Sequence, residues 1–111
     1  MAENFDFRVD ADPFVLTADP KWLNAQEKEV AGADMDNVFW GTSSPEKVVV
    51  EGDKDLGKIT VANPGLFAVG EQAVVSVTGE DGGNIIILEV VLTALAPDTT
   101  ATHGELTVTP V

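Results

Sequence analysis

Residues 72–93 read Gln-Ala-Val-Val-Ser-Val-Thr-Gly-Glu-Asp-Gly-Gly-Asn-Ile-Ile-Ile-Leu-Glu-Val-Val-Leu-Thr, and this stretch decides the fold class. Over 72–78 apolar side chains recur at Ala73, Val75 and Val77, with Val74 an added apolar position on the other face. Period two is the period of a strand, not of a helix. Gly79, Glu80, Asp81, Gly82 and Gly83 follow, a run that accommodates positive φ, and residues 84–93 resume a strand rich in Ile and Val. Two such runs joined by that turn chemistry predict a β-hairpin. Within its second arm, Ile85, Ile86, Ile87 and Leu88 are apolar on both faces. That pattern predicts a strand covered on both sides, either by a loop over a central sandwich strand or by a subunit contact.

Working upstream, residues 46–51 are β-branched and flanked by Pro45 and Gly52, and the polar loop Gly52, Asp53, Lys54, Asp55 leads to 58–62, where Ile59 and Val61 alternate with Lys58 and Thr60. This is a second expected hairpin. Residues 37–41 (Asn-Val-Phe-Trp-Gly) and 14–18 are short strands of the same kind. Residues 20–31 admit two readings. Asp19 before Pro20, with Gly32 beyond and a weak stripe of Trp22, Leu23, Gln26 and Val30, suits a short helix; an irregular or strand segment is the other. Downstream, 97–103 is a linker rich in Thr and Ala, and 105–109, with Leu106 and Val108 alternating against Thr107 and Thr109, is a final short strand or a docking arm. About seven short strands with regular turn signals predict an all-β chain built as a β-sandwich. The expected division is residues 1–13 as arm or first strand, 14–96 as the sandwich, and 97–111 as linker and short strand.

A length of 111 residues with 44% apolar content is one domain's worth of chain. Nineteen acids against six bases give a net charge of −13, and residues 63–111 carry six acids with no Lys or Arg. Nucleic acid and anionic membrane surfaces are therefore unsuited as partners, because both are bound through Lys and Arg. The absence of Cys removes disulfides, thiolate metal sites and thiol catalysis. Residues 1–7 lack the basic region and apolar run of a signal peptide, and the stretch 85–95 is interrupted by Glu89 and Thr93, short of the ~20 residues that span a bilayer. Synthesis in a host cytoplasm is the expectation.

Trp40 followed by Thr42, Ser43, Ser44 and Pro45, then Val48 to Val50, Gly57 with Ile59 and Val61, Gly70 with Ala73, Val75 and Val77, and the last strand from Ile85 resemble the bacterial immunoglobulin-like domains. Such domains occur in bacterial surface proteins and as modules of tailed-phage virions, and the resemblance covers about half the chain, residues 38–93. Before the Trp strand the family has an alternating apolar strand where this chain has Gln26, Glu27, Lys28 and Glu29, so that strand is offset or the N-terminal part folds differently. The resemblance implies an immunoglobulin-like β-sandwich. It further implies a non-enzymatic virion protein, a capsid decoration or head or tail accessory protein that binds the particle surface, with a major capsid or tail protein as partner, homo-oligomerisation open, and the virion as location. The alternative is an adhesin or carbohydrate-binding module of a bacterial surface protein. In the virion reading Phe5, Phe7 and Phe14, spaced by acids, form a docking arm for a neighbour's groove; the other reading makes them a first strand packed on the chain's own core.

No residue set points to catalysis or to a cofactor. The lone His103 lies in the Thr-rich segment, and Ser43 and Ser44 have no base nearby in sequence and suit a turn before Pro45. The acids Glu51, Asp53 and Asp55, Glu80 and Asp81, and Asp34 and Asp36 invite a calcium ion, yet none has EF-hand spacing and Lys54 sits inside the first group. Solvated acids in turns are the expectation for them. Trp40 is expected as a core anchor between the two sheets.

Overall fold

The computed structural model describes residues 2–97, 101 and 103–110. Nine strands lie in chain order: β1 (Ala2–Arg8), β2 (Phe14–Ala18), β3 (Trp22–Leu23), β4 (Glu29–Val30), β5 (Asn37–Thr42), β6 (Val49–Gly52), β7 (Gly57–Val61), β8 (Gln72–Asp81) and β9 (Asn84–Leu95). Two of the connections carry a single 3-10 turn, Gly32–Asp34 and Pro64–Leu66. One sheet has the order β1-β9-β8-β5 and the other β2-β7-β6, while β3 and β4 pair only with each other. β1 runs parallel to β9, and the remaining pairs are antiparallel. This is the strand order of an immunoglobulin-type sandwich, with the first strand joined to the last.

The decisive stretch forms the hairpin β8–β9. Asp81 pairs with Asn84, so Gly82 and Gly83 are the whole turn, and their φ values of 57° and 84° are those a right-twisting two-residue turn demands. The β6–β7 hairpin also forms. Its first strand starts at Val49 instead of Glu46, because the N–H groups of Lys47 and Val48 both donate to the Ser44 carbonyl and close a turn there.

Inward residues of both sheets, with Val48 and Phe67 from the connections, make the main core: Phe7, Val48, Ile59, Val61, Phe67, Ala73, Val75, Leu92 and Ala94. A second, smaller cluster of Trp22, Met35 and Val77 lies toward the β8–β9 turn, with Trp40, Ile86 and Leu88 packed on it. Asn63 Oδ1 accepts from Gly65 N and caps the turn that delivers Phe67, whose ring meets Phe7 edge-on at 4.9 Å.

Three segments with two open readings are decided by the structure. Residues 20–31 form no helix. Asn24 Oδ1 accepts from the N–H groups of Gln26 and Lys28, at 2.9 and 3.0 Å, so these donors serve a turn, and Glu27 takes φ 60°, outside the helical region. Trp22 and Val30 then face each other across the short hairpin β3–β4. The sandwich strand before the Trp strand β5 is therefore β2, with the hairpin β3–β4 inserted between. Residues 1–13 are not a free arm, since β1 is an edge strand of the four-stranded sheet, and the sandwich begins there and not at residue 14. Residues 103–110 form no strand; Leu106 and Val108 stand 91% and 82% exposed. Residues 98–100, 102 and 111, in the segment read as linker and strand, lie outside the described residues.

Candidate functional site

Alternation along β5, β8 and β9 sends Val38, Trp40, Val77, Ile86 and Leu88 inward. The next residues along must then point outward. Phe39 pairs with Thr78 and Thr78 pairs with Ile87, forming one row across three strands. Neighbouring strands lie about 4.8 Å apart, so Phe39 and Ile87 flank Thr78 at roughly 10 Å from each other. Ile85 stands two residues along from Ile87 in the row Asn37, Glu80, Ile85. Phe39, Ile85 and Ile87 are 66%, 67% and 57% exposed. The row on the other side is Gly41, Ser76, Glu89, and Gly41 has open space where a side chain would stand. The result is a flat apolar patch with Glu80 on one side, Glu89 on the other and a bare step beside Phe39. Isolated exposed apolar residues are ordinary, whereas here three gather on one sheet face. The loop expected over Ile85–Leu88 does not cover this face.

A second surface feature lies at the side of the sandwich where β1 and β2 are the edges of the two sheets. Between them opens a cleft of about 540 Å3. Phe5, Leu16, Trp40, Leu88 and Val90 line it, and Glu3, Asp19 and Lys21 stand around it.

Trp40 is held as a core anchor. Its Nε1–H donates to the Asp53 carbonyl at 2.8 Å, and its ring lies on Gly52 and Gly57, where a Cβ would come within 2.4 and 2.3 Å of ring atoms. Trp22, unrecognised in the sequence, repeats the device. It donates from Nε1 to the Lys54 carbonyl at 3.4 Å and lies against Gly79, where a Cβ would come within 2.6 Å of its ring. The 52–57 loop is thus gripped by two indoles. Asp53 Oδ1 accepts from the N–H groups of Asp55 and Leu56. These bonds, the Asp55 one foremost, hold the Asp53 carboxyl below the usual carboxylate range.

The acid groups read as cation candidates lie on neighbouring loops, which side-chain-to-backbone contacts join. Lys54 Nζ donates to the Met35 carbonyl between Asp34 and Asp36. Asp36 Oδ2 accepts from Gly82 N at the β8–β9 turn. Among the described residues no three metal-capable side chains converge. Ser43 and Ser44 act in backbone bonding: Ser43 Oγ accepts from Val74 N, and the Ser44 carbonyl closes the turn before β6. His103 lies exposed in the C-terminal segment.

Of the two readings open for Phe5, Phe7 and Phe14, docking arm or own core, Phe7 and Phe14 follow the second. Phe7 is buried in the main core. Phe14 packs on that core, and its ring lies 5.3 Å from Phe7 and 5.7 Å from Phe5. Only Phe5 keeps a sizeable exposed surface, at the cleft. The aromatic that faces outward is Phe39, and the signal for it was present: Val38, Phe39 and Trp40 are apolar in succession, so one of them had to leave the core side.

No known family profile matches the chain, and no curated protein matches it. Solved structures do share its fold. The endo-fucoidan hydrolase MfFcnA4 of glycoside hydrolase family 107 aligns with a TM-score of 0.50 and 12% identity, over 86% of this chain and 13% of that one. A variant of MfFcnA4 aligns at 0.52 and 13%. MfFcnA9, of the same family, aligns at 0.50 and 9% over 93% of this chain and 17% of that one. The chain therefore spans less than a fifth of the length of these proteins. The expectation that set this chain apart from enzymes is corrected by this finding, because the solved structures of like fold are glycoside hydrolases. At such identity the likeness establishes the sandwich alone.

Proposed function

We propose that this protein is an assembly module that seats the outer face of its four-stranded sheet on another protein, and that the setting is a tailed-phage virion, where it binds and stabilises the capsid or tail surface. The observation that carries the docking reading is the row of Phe39, Thr78 and Ile87 with Ile85 beside it. Phe39, Ile85 and Ile87 belong to neither core cluster, yet an Ile or Phe side chain contributes about 1.5–3 kcal/mol when fully withdrawn from water. The carboxylates of Glu80 and Glu89 flank the row, so the matching surface is an apolar patch bordered by Lys or Arg. The immunoglobulin-type strand order and the resemblance to virion modules support the setting.

The test is to produce the chain with the capsid and tail proteins encoded beside its gene and to sediment the particles. The wild-type chain should travel with them, and a folded Phe39→Ser, Ile87→Ser variant should remain in the supernatant. A Ser variant that still sediments overturns the docking face; a wild-type chain that never sediments overturns the virion setting.

A second reading is favoured by the fold's recurrence within longer carbohydrate-active chains. There this sandwich serves as a module of such a protein. Retarded migration of the chain in native gels cast with fucoidan or another polysaccharide, against gels without it, supports that reading and counts against the virion.

A further inference from the structure

From the cleft and the C-terminal segment together, we infer that the free edge of β2 receives a strand from a second copy of this chain, namely residues 105–109. β2 ends the order β2-β7-β6 and pairs only with β7. β1, which leaves it across residues 9–13, belongs to the other sheet. The side of the sandwich between these two edges is where the apolar cleft opens, with Leu16 of β2 on one wall and Phe5 of β1 on the other. An extended segment laid along Phe14–Ala18 would bond its backbone to the free edge and turn every second side chain into the cleft.

The chain carries a segment of that form. In Glu105, Leu106, Thr107, Val108, Thr109 the apolar residues are two apart, as a strand entering one face requires. Both are almost wholly exposed, and residues 103–110 join no strand. The occupant is a second copy because of where this segment goes. The molecule measures 78 × 31 × 17 Å with a radius of gyration of 19.3 Å, whereas a compact chain of this length has about 13 Å. Residues 103–110 are absent from the lining of their own chain's cleft, and Leu106 and Val108 stand out in water. Glu3 and Asp19 outnumber Lys21 around the cleft, so the contact is apolar and charge opposes it. It must therefore strengthen as salt screens the acids.

Sedimentation equilibrium of the purified chain should show concentration-dependent self-association that increases from low to high salt. A synthetic peptide of residues 103–110 should bind a chain truncated after residue 96 and shift the emission of Trp40, which lines the cleft, read in a Trp22→Phe background. Replacing Leu106 and Val108 by Asp in the peptide should weaken that binding roughly ten- to a hundredfold. The same replacements in the full chain should leave it monomeric with unchanged thermal stability. A full chain that is monomeric at every concentration while the truncated chain binds the peptide overturns the second copy in favour of the chain's own segment. A truncated chain that does not bind the peptide overturns the strand site altogether.

Discussion

The four-stranded sheet has two faces built from the same strands, and they obey different rules. Inward, Ala73, Val75, Val77 and Leu92 are buried against the opposite sheet or the β3–β4 hairpin. Outward, Phe39, Ile85 and Ile87 are as apolar and lie mostly in water. A residue's hydrophobicity is thus equal evidence for the core on one face and for a partner on the other. Only the pairing of strands tells them apart, because a shift of one residue exchanges the faces.

The comparison can be broken by making the inner face behave like the outer. The largest effect is expected at Leu92, fully buried between β1 and β8. Leu92→Ala should lose about 2–5 kcal/mol in urea unfolding, the range for a buried leucine that leaves a cavity. Next comes Gly79, whose inward position is occupied by a ring instead of a side chain of its own. A Cβ there would meet Trp22 at 2.6 Å and Met35 Cε at 2.8 Å. Gly79→Ala should therefore cost about 1–3 kcal/mol by overpacking, and Trp22→Ala in the same chain should relieve part of that added cost. Strictly additive losses in the double variant would show that the indole does not press on Gly79.

Much of this was legible in the chain itself. Alternation at Ala73, Val75 and Val77 and the paired glycines Gly82 and Gly83 are local signals, and they revealed the hairpin, although pairing carries β8 through Gly79, Glu80 and Asp81 and narrows the turn to Gly82 and Gly83. The β2 bounds were legible for the same reason. Trp22 was not, because its partners are Gly79, Met35 and the Lys54 carbonyl, all distant in sequence. Nor was the turn at Asn24, where a side chain takes the N–H groups that a helix would have used. The site was hidden by a related ambiguity. Phe5, Phe7 and Phe14 look exposed among their acids, yet β1 pairs with β9 some ninety residues away and carries Phe7 inside.

Acid should reveal a smaller contribution, at the rim of the inner core. Glu71 Oε2 lies 2.6 Å from Lys47 Nζ, Oε1 accepts from Ala68 N, and Lys47 Nζ stands 5.4 Å over the buried Phe67 ring. The Lys47 hydrogen bond first, and the Ala68 N–H next, hold the Glu71 carboxyl below its ordinary value of 4.5. A carboxyl lowered by folding adds stability that is full above its unfolded pKa and lost as pH falls through the folded one. The urea midpoint should fall as pH drops below about 4.5, and Glu71→Gln should flatten that decline while lowering the midpoint at neutral pH. An unchanged pH profile in the Gln variant would assign the acid loss elsewhere, with the Asp53 turn as the next group to replace.

The smallest effect on stability is expected where the effect on assembly is greatest. Phe39, Ile85 and Ile87 keep more than half of their surface in water, so Phe39→Ser, Ile85→Thr and Ile87→Thr should each move the unfolding midpoint by no more than ~0.5 kcal/mol. Thr keeps a β-branched side chain, which holds strand preference nearly constant at the two isoleucine positions. A core position cannot behave in this way, as Leu92→Ala should show, and neither can an apolar residue whose only task is to hold a strand. If Phe39→Ser or Ile87→Thr destabilised the isolated chain by more than about 2 kcal/mol, the outer face would be a second core of the fold, and the docking surface inferred from it would have no basis.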